Sequence, residues 1–296
     1  MDTLDTLWAV YGNLVLTIGI NALLALSIWL TLSCGLLAMA NAAFMGLGAY
    51  AGALLTMRAG VPFPVALAGG MALPALVALV IGLPTLRLSG VYLAMATLGF
   101  GEVVRIGLIN ADSLTGGALG LNAIPQLTRW WHVVLALVVV LLVLWRMRRS
   151  RVGRAFEAIR EDETAASLMG IGVMSHKMLA FCLGAAVAGL AGVLGAHLTF
   201  FIGPGEFGFE RSVDILTMAI LGGIGSLAGP VLGAAIITLL PELLRAFHDF
   251  RTMLNGAILV LIVLFLPNGL WDPARIRSWF VRRRPSGAAA TPAGRP

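Results

Sequence analysis

The sequence predicts an all-α, polytopic membrane protein with about eight or nine transmembrane helices, some of them broken, and one helical segment outside the bilayer. Three observations carry that prediction. Mean hydropathy over the 296 residues is +0.95, and 59% of them are hydrophobic. Only 11% are charged, against about a quarter in soluble domains, so the surface lacks the charge that water would require. Finally, apolar runs recur at close to the roughly 20 residues a helix needs to cross a hydrocarbon core of about 30 Å.

Taken in order, the runs are 11–33, 36–56, 64–85, 91–109, 131–146, 178–200, 213–225, 227–247 and 253–271. The seventh and eighth are short and meet at Gly222-Gly223-Ile224-Gly225-Ser226, which reads either as two crossings or as one broken helix. The N-terminus, Met1-Asp2-Thr3-Leu4-Asp5, is acidic. It lacks the basic flank of a cleaved signal peptide, so the first run is expected to stay in the mature chain. Residues 1–272 form the predicted membrane domain. Residues 273–296 form a basic tail whose end, 285–296, has a disordered composition.

Charge sets the orientation. Of 20 Lys and Arg residues, seven lie between Arg146 and Lys177 and six between Arg275 and Arg295. Basic residues clustered beside apolar spans mark cytoplasmic segments and not a nucleic-acid face. The N-terminus and the 110–130 and 201–212 loops are then outside, and the tail is cytoplasmic. Arg58 is a minor exception on the outer side. Cys34 and Cys182 fall within apolar runs and read as small buried hydrophobes. Glycines four apart, at 48 and 52 and at 225, 229 and 233, predict close helix packing.

Residues 151–172 are the one substantial polar stretch between spans. Ala155, Phe156, Ile159 and Ala166 recur at helical spacing among charges, and Gly170 and Gly172 can end the helix. Such a helix has three readings: it lies on lipid, it is a solvated connector, or it docks in a groove of a soluble partner. The acidic cluster Glu157, Glu161, Asp162 and Glu163 disfavours an anionic lipid surface.

The stretch from Gly153 to Glu163, with Ala165, Ala166 and Gly170, resembles the cytoplasmic loop of ABC importer permeases. That loop carries Glu-Ala-Ala, three residues, then Gly; Thr164 is an insertion into the pattern. The run Ala158-Ile159-Arg160-Glu161-Asp162-Glu163 is similar to the branched-chain amino acid permeases of the LivM type. So are Thr97-Leu98-Gly99-Phe100-Gly101-Glu102, the loop Asp112-Ser113-Leu114-Thr115-Gly116-Gly117 with Gly120, Ala43-Phe44-Met45-Gly46-Leu47-Gly48-Ala49-Tyr50, and Leu221-Gly222-Gly223-Ile224-Gly225-Ser226. The resemblance spans about 30–270. Asn41 departs from it, standing where many members carry histidine.

This resemblance implies a bacterial inner-membrane importer for leucine, isoleucine and valine. The implied partners are a second permease subunit of the LivH type, two ATP-binding subunits, an extracytoplasmic binding protein and membrane lipid, with no nucleic acid. The chain would bind no cofactor and catalyse nothing itself, ATP being used by the partner subunits. The sequence agrees: it holds no Gly-x-x-x-x-Gly-Lys-Ser/Thr phosphate loop, and Lys177 is its sole lysine. Residues 151–172 become the ATPase-coupling helix, with Phe156 and Ile159 as outward apolar anchors, Arg154, Glu157 and Arg160 as a polar rim, and Glu163 and Gly170 in the signature. Asn41, Thr97, Glu102 and Arg105 are candidates for the path or a switch.

Each charge within a span has a plainer reading too. Glu102 and Arg105, three apart, read as an ion pair or as path lining. Asp214 suits the start of a helix. Glu242 and Arg245 read as an interfacial pair, and His197 as a buried hydrogen-bonded residue or a relay element. The glycine-rich 99–101 and 222–226 either expose backbone to a path or simply pack closely. A high-affinity substrate site is not expected in this chain. An ion-driven carrier using Glu102 and His197, or a permease for urea or amides, are the alternatives. A metalloenzyme is disfavoured, because the histidines at 132, 176, 197 and 248 form no ligand motif.

Overall fold

The structure, a computed structural model, describes residues 3–243. The expected span 253–271, the basic tail and Arg245 lie outside the described residues. Eleven α-helices follow in order: α1 (Thr3–Ser33), α2 (Asn41–Met57), α3 (Phe63–Thr85), α4 (Gly90–Asn110), α5 (Asp112–Thr115), α6 (Trp130–Arg148), α7 (Arg151–Glu161), α8 (Glu163–Leu168), α9 (Val173–Thr199), α10 (Phe209–Gly222) and α11 (Ala228–Leu243). Among the described residues, five helices are long and apolar enough to cross a membrane: α1 from Gly12, α3, α4, α6 and α9. Of the eight or nine expected spans, some of them broken, these five are the ones the described residues show at full length. Helices α2, α10 and α11 have 17, 14 and 16 residues.

The bundle is organised around α1 and α9. Their most apolar stretches are 72% and 67% buried, against 17% for both α4 and α6. The first pair is the protein's interior. The second presents Val103, Leu135 and Leu142 outward, as a lipid-facing or subunit-facing helix does.

Glycine sets how closely α9 meets its neighbours. A Cβ added at Gly48 would lie 2.4 Å from Gly189 Cα, and one at Gly189 would lie 2.2 Å from the Gly70 carbonyl oxygen. Helices α2 and α3 thus approach α9 backbone to backbone. Gly229 meets Gly222 and Gly233 meets the Met218 carbonyl in the same way, which closes α10 and α11 into an antiparallel hairpin.

The expected span 36–56 begins late. Gly35 turns the chain back at φ +76, residues 36–40 are non-helical, and α2 starts at Asn41. This irregular stretch is almost wholly buried, so its backbone groups need protein partners. Leu36 N–H donates to the Thr31 carbonyl at 3.0 Å and Met39 N–H to Thr97 Oγ1 at 2.9 Å, while at the start of α2 the Asn41 side chain donates from Nδ2 to Ser27 Oγ at 2.7 Å.

The two ends of the bundle differ. At one, α6 runs into α7 and α8, which return into α9. At the other, the loops around 121 and 202 pair through reciprocal backbone hydrogen bonds of 3.0 and 3.1 Å. Arg58 joins that end by donating to the Ser113 carbonyl.

Candidate functional site

The polar segment forms two helices, not the single one expected over 151–172. Asp162 breaks it: its backbone is extended, at φ −154 and ψ 111, and its carboxylate accepts from Thr164 N–H and Ala165 N–H at 2.8 and 2.9 Å. Asp162 is thus the N-cap of α8. Gly170 ends the device with φ +81, a conformation glycine adopts without strain.

The apolar face identified from spacing is real, but it points inward. Phe156 is 2% exposed and Ile159 4%, with Ala155 and Ala166 also buried. The two anchors assigned to an ATPase groove instead dock α7 onto its own chain, where the Phe156 ring meets His176 edge-on at 6.2 Å between centroids. The physical reason is supply: the ends of α1, α6 and α9 expose apolar surface that α7 covers. What faces outward is Arg154, Glu157, Arg160, Glu163 and Gly170, together with two apolar side chains the pattern did not single out. Leu168 and Met169 are 85% and 83% exposed. Glu163 also reaches back, its Oε2 lying 2.6 Å from Nζ of the buried Lys177 on α9.

This end is tied to the α10–α11 hairpin. Trp29 Nε1 donates to the Ile224 carbonyl at 2.9 Å, and Arg148 Nη2 donates to the Gly225 carbonyl at 2.7 Å. Arg148 also faces Glu157 of α7 at 3.8 Å. The glycine-rich 222–226 stretch is therefore a hairpin turn whose open carbonyls are met by side chains beside α7.

At the other end of α10 lies a cavity of about 350 Å³ between α1, α2, α9 and the start of α10. Its polar lining includes Asn21, Thr199, Glu206, Glu210, Arg211 and Asp214. Arg211 Nη2 donates to Asn21 Oδ1 at 2.6 Å, Asn21 Nδ2 donates to Thr238 Oγ1 at 2.8 Å, and Thr238 Oγ1 donates to the Ala234 carbonyl at 2.7 Å. Three helices thus hold one guanidinium in place. Glu206 sits in the loop before α10, where burial pushes its carboxyl above the usual range and Arg211 opposes that shift.

A family described as "Branched-chain amino acid transport system / permease component" matches residues 10–266. The chain belongs to that family. This permease is 35% identical to the high-affinity branched-chain amino acid transport system permease protein LivM of Escherichia coli K12, over 91% of the chain and 69% of that protein. It is 32% identical to LivH of Salmonella typhimurium over 59% of the chain and 57% of LivH. The autoinducer 2 import system permease protein LsrC of Escherichia coli is 28% identical over 50% of the chain and 43% of LsrC. No solved structure matches.

The remaining candidates of the permease fall in separate places. Glu102 and Arg105 form an ion pair of 2.8 Å, each about a third exposed, next to the loop that leads into α10. Thr97 and Asn41 are buried at the joint between α1 and α2 and do not line the cavity. His197 is fully buried, with Nδ1 against the Val193 carbonyl at 2.9 Å and Nε2 against Thr56 Oγ1 at 3.0 Å. Its partners are a carbonyl and a hydroxyl, so no carboxylate bonds to it directly. Asp214 lies in the first half of α10 but also faces the cavity. Of the Glu242–Arg245 pair only Glu242 is described. Sequence reasoning missed Asn21, Arg148, Arg211, Leu168 and Met169. A guanidinium and a carboxylate three residues apart at 211 and 214, at the mouth of a span, was the available signal.

Proposed function

We propose that this permease forms the membrane path of an importer for leucine, isoleucine and valine, driven by ATP-binding subunits on separate chains. Family membership over most of the chain supports the reading, and one structural observation carries it. The α7–α8 segment is rigidly seated on the bundle, yet it presents Leu168, Met169 and a charged rim outward, as a surface for a soluble partner requires. The face carrying α7 and α8 is then cytoplasmic, the start of α1 is extracytoplasmic, and the basic 273–296 tail is cytoplasmic, in a bacterial inner membrane. The assembly contains a second permease of the LivH type, two ATP-binding subunits and an extracytoplasmic binding protein. ATP is bound and hydrolysed by the partners alone.

Coupling runs through α10. Movement of α7 is passed by Glu157 and Arg148 to the hairpin turn at Gly225, and α10, about 21 Å long at 1.5 Å per residue, carries it to the cavity. A closing ATPase pair would thereby bias the bundle between two states that differ at the cavity.

Deleting the gene and measuring uptake of labelled leucine, isoleucine and valine tests the reading. Uptake should fall, be restored by the chain in trans, and depend on ATP. Uptake that follows an ion gradient and ignores ATP depletion would reassign the chain as a carrier, and selective loss of urea or amide uptake would reassign its substrate.

A further inference from the structure

We infer that the cavity at the start of α10 is a transit site for the zwitterionic head of an aliphatic α-amino acid, with Arg211 receiving the carboxylate. This inference rests on the transport reading above and adds a site to it.

The guanidinium has five N–H donors in a planar fork suited to a carboxylate. Among the described residues, Arg211 uses one hydrogen bond, to Asn21, and no carboxylate lies within ion-pair distance of it. Asp214 and Glu206 act on it electrostatically from beyond that distance, so most donors of the fork stay open, and a charge so placed in a membrane domain needs a role. The Asn21–Thr238 relay fixes the direction of the fork, which makes Asn21 a positioning residue. The first turn of α10 adds to this: no side chain caps it, so its N–H groups add positive potential beside Arg211.

The ammonium group is answered on the same helix. Asp214 lies three residues after Arg211 and Glu210 precedes it; both are exposed and line the cavity. The opposite walls are apolar: Ile20, Met45, Ala49, Ala196, Ile202 and Phe207. One cation, separate carboxylates and an apolar wall are what a branched aliphatic amino acid presents in complement. The volume of about 350 Å³ falls at the small end of ligand pockets, and the cavity is open. Binding there is weak, as a path requires.

The test is photolabelling of the purified full chain with photo-leucine, followed by peptide mapping. Label is expected on α1, α9 or α10 at the cavity. Leucine should suppress it, and leucinamide, which lacks the carboxylate, should not. Arg211→Gln should lower labelling about ten- to a hundredfold, the range for loss of a charged hydrogen bond, and Arg211→Lys should retain part of it. Equal suppression by leucinamide on the unaltered chain, label spread over the outer faces of α3, α4 and α6, or labelling indifferent to Arg211→Gln would each overturn the site. The leucinamide comparison needs no variant and holds even where Arg211→Gln fails to fold. In cells, deletion of the chain without loss of leucine uptake would remove the transport reading and the site with it. Intact uptake alongside labelling that ignores Arg211 would remove the site alone.

Discussion

Thr97 stands where a helix and a buried irregular segment share one N–H. Its hydroxyl accepts from Met39 N–H and donates to its own helix at Leu93. Thr97→Val keeps the shape and strands that donor, so thermal unfolding in detergent should show a loss of about 1–3 kcal/mol. Glu163 and Lys177 make an asymmetric pair, because the lysine side chain is 8% exposed and the glutamate 53%. Glu163→Ala leaves a buried charge and should destabilise the protein by about 1–3 kcal/mol, whereas Lys177→Met should do less. The reverse order would show that the lysine reaches water. Glu102 and Arg105 are open enough to solvent that a double-mutant cycle should give a coupling below about 1 kcal/mol. That pair was legible in the sequence because spacing alone brings it together. Arg211 and Asn21, 190 positions apart, were not: Asn21 stands alone in an apolar run, Arg211 reads with Glu210 and Asp214 as the polar mouth of a span, and only the packing of α1 against α10 and α11 joins them.

At the scale of elements, helical spacing in 151–166 named the buried face correctly and could not say what buries it. An amphipathic pattern reports a difference between faces, and the ends of α1, α6 and α9 supplied the cover. Phe156→Asp should therefore destabilise the permease itself. Leu168→Asp with Met169→Asp should leave it folded and membrane-inserted but unable to hold its ATPase, as co-purification would show. Retention of the ATPase by that double variant would move the docking surface elsewhere. The late start of α2 was hidden for a related reason: residues 36–40 are as apolar as a helix interior, and only the turn at Gly35 and the bond from Met39 N–H to Thr97 set them apart. The glycine pattern read in part: Gly48, Gly229 and Gly233 do sit at backbone-to-backbone contacts, while Gly225 lies in the hairpin turn and the equally close Gly189 and Gly192 fall outside the pattern. Gly48→Val would push against Gly189, and a loss of about 1–3 kcal/mol or more is expected from such overpacking.

For the whole molecule, hydropathy and charge displayed the class of protein, and ordered motifs displayed its family. The number of full crossings was less legible, because α2 and α11 are shorter than a span, α10 is short and carries Glu210, Arg211 and Asp214, and the run 253–271 lies outside the described residues. The arrangement links the exposed surface of α8 to a cavity at the far end of α10 through one hairpin turn. Arg148→Ala cuts that link at Gly225, so ATPase binding should persist while leucine uptake falls. The most direct test of the account is a gentle pull-down of the tagged chain from native membranes. A second permease and phosphate-loop ATPases should come with it, and ATP should drive leucine uptake by the reconstituted assembly. A chain recovered alone, correctly inserted and transporting without ATP, would contradict the account.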